Sequence, residues 1–173
     1  MPIYKSTYER AGSMPRSNHS SNESHLYTEY LIKWVKDFSR TIDYLETRAD
    51  IDTSRIGFYT HSWGGVVGAI IPAVERRLKL CVHVTGGFSS RALPEADQIN
   101  YLPRVKVPVL MLNGKYDFTF PLEADVKPYF DLLGTEEGDK VLKVYESDHW
   151  IPTTELIRET LDWCEKYFGP VNK

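Results

Sequence analysis

The sequence is poor in cysteine, and this scarcity excludes one class of protein. Only two cysteines, Cys81 and Cys164, occur among the 173 residues, far apart and in hydrophobic surroundings. We interpret them as buried free thiols. The alternative is a disulfide, but nothing else in the sequence indicates an oxidising compartment. A small secreted domain held together by disulfides is therefore not predicted.

Excess charge and long apolar runs are also lacking. The formal net charge is −3, with 21 lysines and arginines against 24 aspartates and glutamates, so the concentrated cationic face that nucleic acid requires is not expected. No stretch approaches the roughly 18 apolar residues of a membrane helix. Residues 1–5 contain no apolar run typical of a signal peptide. We expect no nucleic-acid partner and no membrane partner, and we place the protein in the cytoplasm by default.

What the chain does contain is the composition of one folded domain. Hydrophobic residues make up 42% of it and charged residues 26%, which is the balance of a globular protein. A chain of 173 residues is too short for two domains of ordinary size. Residues 1–23 are interpreted as a polar lead-in segment, because the stretch around residues 11–24 is rich in turn-forming residues.

Hydrophobic periodicity predicts a long amphipathic helix near residues 24–48, after a possible capping box at Ser20 and Glu23. Its expected apolar stripe is Leu26, Tyr30, Trp34, Phe38, Ile42 and Leu45. Four short apolar runs then predict buried strands. They lie at residues 55–60, 78–84, 107–112 and 141–145.

Three further segments predict helices, and they lie at residues 64–71, 121–133 and 153–168. Pro72 is expected to kink or shorten the first of them. The last is expected to bury the stripe Ile157, Leu161, Cys164 and Phe168. Alternation of strands and helices predicts an α/β fold, a three-layer sandwich in which helices cover both faces of a mostly parallel sheet.

A serine stands where the first strand runs directly into a helix. Ser62 is followed by Trp63 and Gly64, and His61 precedes it. A serine on such a sharp turn is exposed above the sheet, with small neighbours making room for it. The backbone N–H of Trp63 is the expected donor to an oxyanion. His61 is expected either to line the substrate pocket or to be an ordinary packing residue. The usual pattern is Gly-x-Ser-x-Gly, and Thr60 replaces its first glycine.

Two later segments supply the partners of this serine. Asp117 follows the third strand, where it either acts as a triad acid or caps the next helix. His149 follows the fourth strand, completing the order Ser, Asp, His that one hydrolase fold uses. We expect Ser62 to be the nucleophile, His149 the base and Asp117 the acid, with Asp148 as a less favoured acid. The other histidines lack ligand spacing, so no metal and no cofactor is expected.

At these residues the chain resembles the alpha/beta-hydrolase superfamily, in the branch of dienelactone-hydrolase-like, acetyl-xylan-esterase-like and prolyl-oligopeptidase-like catalytic domains. The resembling segments are residues 34–37, 43–48, 62–65, 101–104, 113–114 and 148–149. The resemblance implies the same roles for Ser62, Asp117 and His149, and ester or peptide bonds as substrates. It also implies a single truncated domain over residues 1–173, the C-terminal half of the fold, because members of the superfamily normally carry about four more strands before the nucleophile strand.

The missing strands would leave the nucleophile strand at a sheet edge, which invites pairing. We expect a second copy of the chain to cover that edge, so that the protein is a homo-oligomer; folding back of residues 1–20 is the alternative. The favoured function is cleavage of small esters with short acyl groups, because little chain is present to form a lid. A prolyl-oligopeptidase-like peptidase and a non-catalytic remnant or binding module remain alternatives, which ester and amide substrates would distinguish.

Overall fold

The chain alternates strands and helices after one long helix. The computed structural model describes residues 4–6, 8–10, 23–89 and 92–170. The elements are α1 (His25–Glu46), β1 (Gly57–His61), α2 (Trp63–Val67), α3 (Ile71–Val74), β2 (Leu80–Val84), β3 (Val109–Gly114), α4 (Lys127–Leu132), β4 (Lys140–Tyr145) and α5 (Thr153–Phe168). Short 3₁₀ turns and one π-helical turn, Leu122–Val126, connect them. All four predicted strands are therefore confirmed, with boundaries moved by one or two residues.

The four strands form one parallel sheet in the order β1-β2-β3-β4. Each strand pairs with the next along the chain, as in the pairing of Gly57 with Leu80 and of Cys81 with Val109. Because all strands run the same way, their carboxyl ends meet at one edge of the sheet. The predicted parallel α/β architecture is confirmed, and this edge is where the site must be sought.

Helices cover both faces of the sheet. Alternate residues along a strand point to opposite faces, and in β3 Met111 packs in the larger core with α1, α2 and α4. Leu110 and Leu112 of the same strand lie in a smaller core that α5 closes with Trp163. The result is the three-layer arrangement expected from the sequence.

Helix α1 begins one residue later than predicted and buries a slightly different stripe. The side chain of Ser24 accepts a hydrogen bond from the backbone N–H of Tyr27, so Ser24 is the N-cap. Ser20 of the predicted capping box lies outside the described residues. Tyr27 and Leu31 are buried, whereas Leu26 is exposed, which corrects the predicted stripe.

The helix after the serine is shorter than predicted. Helix α2 ends at Val67, and a second short helix, α3, starts at Ile71 with Pro72 in its first turn. Proline lacks an N–H and fits only in a first helical turn, so the expected interruption at Pro72 is confirmed.

Helix α5 has the predicted bounds but faces the sheet differently. Ile157 and Leu161 are exposed, while Trp163 and Glu159 are buried. Glu159 pairs with Lys143 of β4 and with Arg158. Of the predicted stripe only Cys164 and Phe168 pack against the core on this side of the sheet, together with Leu156, Trp163 and Tyr167.

Strand β1 lies at one edge of the sheet, as the sequence analysis expects. Among the described residues, no strand pairs with its outer side. The backbone of Lys5 contacts α1 instead, since its N–H donates to Asp37 and its carbonyl accepts from the Trp34 indole, at 2.9 and 2.8 Å. Within the described ranges, none of the helices combines the length and the apolar composition that crossing a bilayer requires.

Candidate active site

Ser62 occupies the sharp turn between β1 and α2. Its backbone has φ 55° and ψ −116°, a conformation that residues other than glycine rarely adopt. The Ser62 N–H donates to the carbonyl of Val84 on β2 at 2.9 Å, and the Ser62 carbonyl accepts from Gly65 at 2.7 Å. These bonds hold the turn in place, as a strained residue requires.

Thr60 stands in place of the usual first glycine of the turn, and it lies opposite Gly64. A Cβ placed on Gly64 would lie 3.2 Å from the Cβ of Thr60, so the two positions face each other across the turn. Thr60 is buried, and its hydroxyl lies 2.9 Å from Nδ1 of His83. The threonine fits because its partner across the turn has no side chain and because its hydroxyl has a hydrogen-bond partner.

Close backbone contact brings α2 against the end of β2. A Cβ on Gly65 would lie 2.7 Å from the Cα of Gly86, which leaves no room for a side chain. Below it, a Cβ on Gly68 would lie 2.7 Å from the His83 ring. The run of small residues after Ser62 therefore lets α2 pack directly on the sheet.

Asp117 uses its two carboxylate oxygens for two different partners. Oδ1 accepts hydrogen bonds from the backbone N–H groups of Thr119 and Phe120, at 2.8 and 3.1 Å. Oδ2 lies 2.7 Å from Nδ1 of His149. Asp117 does not cap the next helical turn, whose N-cap is Pro121. One of its oxygens instead holds the turn at Thr119 and Phe120, and the other contacts the histidine.

His149 links this carboxylate to the serine. Its Nε2 lies 2.7 Å from the Ser62 hydroxyl oxygen. With the Nδ1 proton donated to Asp117, Nε2 is left to accept a proton from Ser62. The ring of Phe120, which is buried, stacks near the imidazole at 6.1 Å. The structure thus brings together all three residues that the sequence analysis names for the reaction.

The loop that carries His149 crosses the end of β3. The carbonyl of Ser147 accepts from the backbone of Tyr116 at 3.0 Å, and Lys115 forms an ion pair with Glu146. A Cβ on Gly114 would lie only 1.8 Å from the carbonyl oxygen of Asp148. Gly114 is therefore the residue over which the loop passes to reach Ser62.

Among the remaining candidate residues, His61 contacts the histidine loop. Its ring stacks on Trp150 at 5.3 Å and lies 5.8 Å from the ring of His149. Burial, together with the charge of His149, lowers the pKa of His61. Asp148 is exposed and accepts from the backbone N–H of Trp150, so the aspartate in contact with the His149 ring is Asp117.

Trp63 begins α2, directly after Ser62. Its ring packs edge-on against Trp34 of α1 at 4.8 Å, which ties the first turn of α2 to the long helix. Gly64 lies in the same turn. Within the described ranges, no three histidine, cysteine, aspartate or glutamate side chains come together as a metal site would require.

His83 is the site-supporting residue that sequence reasoning missed. It is fully buried beneath the serine turn, and burial lowers its pKa to about 4. A histidine inside an otherwise apolar strand was the only available signal, and no local pattern connects it with Thr60.

Comparisons with known proteins place this geometry in a fold family. No protein-family model matches the sequence, and no curated protein matches it. Solved structures do: a cold-adapted esterase from an Arctic intertidal metagenomic library matches with 25% identity and a TM-score of 0.66, over 81% of this chain and 56% of its own. TT1662 from Thermus thermophilus matches with 19% identity and a TM-score of 0.74; the match covers 97% of this chain and 76% of TT1662. An acetyl xylan esterase from Paenibacillus sp. R4 matches with 20% identity and a TM-score of 0.69; the match covers 80% of this chain and 53% of the esterase.

A parallel sheet flanked by helices, with a serine at the sharp turn after a strand, is the arrangement of α/β proteins of the hydrolase type. The chain has the alpha/beta-hydrolase fold, and the resemblance seen in the sequence is confirmed. It spans 56% of the length of the Arctic esterase.

Proposed function

We propose that the chain is a serine hydrolase that cleaves short-acyl carboxylic esters through an acyl-enzyme on Ser62. The observation that carries this proposal is the continuous hydrogen-bonded chain from Asp117 through His149 to Ser62, with both links 2.7 Å long. A serine hydroxyl is a weak nucleophile unless a base stands within hydrogen-bond reach, and here one does.

The geometry supports the following sequence of steps. His149 Nε2 takes the Ser62 proton as the serine oxygen attacks the ester carbonyl, and Asp117 stabilises the imidazolium through Nδ1. The backbone N–H of Trp63, at the start of α2, is the proposed donor to the oxyanion. His149 then gives its proton to the departing alcohol, and water hydrolyses the acyl-enzyme by the same steps.

Short acyl groups are favoured because little chain surrounds the site. The segment from Gly87 to Lys106, which follows β2, contains only short 3₁₀ turns in its described part. Two structures that the chain resembles are named as esterases, one of them for acetyl groups on xylan. Activity should therefore fall as the acyl chain lengthens from acetate to palmitate.

The first test is hydrolysis of p-nitrophenyl acetate and butyrate by the purified protein beside Ser62→Ala. Removal of the nucleophile should lower turnover by at least about 10³-fold. The variant should keep its folding, because the hydroxyl is the only group removed. Equal turnover in both proteins, or none in either, would contradict the proposal and favour a non-catalytic role. Faster cleavage of a prolyl p-nitroanilide than of the esters would favour a peptidase.

A further inference from the structure

Each of the three residues that form the hydrogen-bonded chain is followed directly by an exposed aromatic residue. Trp63 follows Ser62, Phe118 follows Asp117, and Trp150 follows His149; their exposed fractions are 48%, 84% and 69%. Large exposed apolar groups clustered in one place usually mark a binding surface. Each of them is one position along the chain from a residue of the proposed reaction centre, and the ring of Trp150 is in contact with the ring of His149.

Trp150 is the member of this set whose position is best defined. Its ring lies 5.8 Å from the ring of His149 and stacks on His61 at 5.3 Å, with only 28° between the planes. Its backbone N–H donates to the carboxylate of Asp148 at 2.8 Å. The indole is therefore held beside the base although most of its surface remains exposed.

The chemistry of the proposed reaction assigns this position to one part of the substrate. In the first step a bond forms between the serine oxygen and the acyl carbon, and the bond from that carbon to the alcohol oxygen breaks. The proton that His149 took from Ser62 goes to that alcohol oxygen. The alcohol part must then lie next to His149 Nε2, and Trp150 contacts the ring that carries this nitrogen. The short acyl part stays on Ser62.

We propose that Trp150 is the binding platform for the alcohol part of the ester, and that this alcohol carries an aromatic ring. The inference rests on the proposed function. An indole with a free surface recognises a flat ring by offset stacking or by an edge-on contact. Phe118, the most exposed aromatic residue near the site, adds a second apolar surface. The described neighbours of the Trp150 ring are the rings of His61 and His149, so a flat ring extends an arrangement of rings that is already in contact.

His61 acts in this arrangement as a positioning residue for Trp150. Its imidazole covers one face of the indole, so a substrate ring must use the other face or an edge. The lowered pKa of His61 keeps this ring uncharged near neutral pH, which suits contact with an apolar partner. His61→Phe should preserve the stack and therefore the aromatic preference, whereas His61→Ala should weaken it.

The test compares benzyl acetate with cyclohexylmethyl acetate. Both esters have the same acyl group and a primary alcohol of similar size, so they differ mainly in whether the ring is aromatic. We expect kcat/KM to favour benzyl acetate by about 5-fold, the range of one aromatic pair. In Trp150→Leu the ratio should fall to about 1. A ratio taken within one variant cancels any general loss of activity. Tyr44→Leu, which removes an exposed tyrosine on α1, should leave the ratio unchanged.

A binding measurement separates this inference from the proposed function. In Ser62→Ala, benzyl alcohol should shift the NMR signal of the Trp150 indole N–H, assigned by its loss in Trp150→Leu, and cyclohexylmethanol should shift it less. If this shift is seen but the protein with Ser62 hydrolyses no ester, the proposed hydrolase function is contradicted while binding of the aromatic ring by Trp150 is supported. Turnover with a ratio near 1, or a ratio unchanged in Trp150→Leu, would overturn the platform. A Trp150-dependent preference for an acetylated methyl xyloside over benzyl acetate would assign the ring to carbohydrate and overturn it as well.

Discussion

The buried imidazole of His83 contacts both sides of the turn that carries Ser62, at Thr60 and at Gly68. Its Nδ1 lies 2.9 Å from the Thr60 hydroxyl, and its Nε2 has no hydrogen-bond partner among the described residues. The ring also limits Gly68 to glycine, since a Cβ there would lie 2.7 Å from it. A charge on this ring would be buried without a partner, which is the physical cause of its low pKa.

The free energy of unfolding should therefore fall as the pH is lowered from about 6.5 towards 4. His83 titrates near 6.5 in the unfolded chain but at about 4 in the fold, so the unfolded state binds more protons throughout this window. Stability due to the neutral ring is complete above 6.5. A difference of this size corresponds to about 3 kcal/mol by pH 4. Urea denaturation at pH 7, 5.5 and 4.5 measures it.

His83→Gln is the matched variant for this prediction. Glutamine keeps a polar group near Thr60 but has no proton to gain, and every other titrating group is the same in both proteins. The variant should be less stable at pH 7 and should lose stability less steeply on acidification. Parallel pH dependences in the two proteins would show that His83 does not titrate as inferred.

At the scale of elements, the loop between β4 and α5 is what completes the site. Strand β4 is at the far edge of the sheet from β1, yet His149 reaches Ser62 at 2.7 Å. The loop covers that distance by crossing the end of β3 in direct contact with Gly114, and the stack of His61 on Trp150 holds its far end. Any side chain at the crossing must displace the base.

Gly114→Ala tests this crossing. The new Cβ would overlap the Asp148 carbonyl, which is backbone and cannot move without moving His149. A displacement of about 1 Å at a reacting group costs about 10²-fold in rate, so kcat should fall by that order while KM changes little. Overpacking should also lower stability by about 1–3 kcal/mol. Ester hydrolysis and thermal denaturation measure the two effects.

Gly138→Ala is the control, because Gly138 lies in the turn before β4 and a Cβ added there would meet no atom within 4 Å. It should leave both kcat and stability nearly unchanged. Full activity in Gly114→Ala would show that the loop tolerates displacement and that its path across β3 does not set the position of His149.

At the scale of the whole molecule, the outer side of β1 is the unusual feature. The Ser62 N–H donates to Val84, and the Ile56 carbonyl accepts from Lys79, so the even-numbered residues bond to β2. The backbone groups of the odd-numbered residues, including Tyr59, therefore point away from β2. Tyr59 is 50% exposed in the middle of the strand. Unpaired apolar edges of this kind tend to pair with another chain.

That a second copy of the chain covers this edge stays a prediction. Light scattering after gel filtration should give a mass above the 20.0 kDa of one chain. Tyr59→Lys should shift the protein towards the monomer, because a lysine in an edge strand disfavours pairing. Tyr44→Lys, on the exposed side of α1, is the control and should leave the mass unchanged. A monomeric protein would contradict the prediction and favour the alternative, in which residues 1–20 fold back over the edge.

Local patterns predicted much of this molecule and missed particular contacts. The strand at Val109–Gly114 and the helix at Thr153–Phe168 follow from short-range apolar spacing, and both were found. The orientation of α5 was not, because Leu156, Trp163 and Tyr167 also recur at helical spacing, and spacing alone does not decide which of the two neighbouring stripes faces the sheet. The sequence also did not predict how Thr60 is accommodated in the turn, since its hydrogen-bond partner, His83, is 23 positions away.

The order of strands and helices is readable in the sequence, and so is the placement of Ser62, Asp117 and His149 after the ends of β1, β3 and β4. These features are encoded in residues close together along the chain. The contact of Asp117 rather than Asp148 with the histidine, and the contact of Trp150 with His61, emerge only in the folded chain. Those outcomes depend on how loops from different strands pass one another at the sheet edge, and close packing of the whole domain sets those distances.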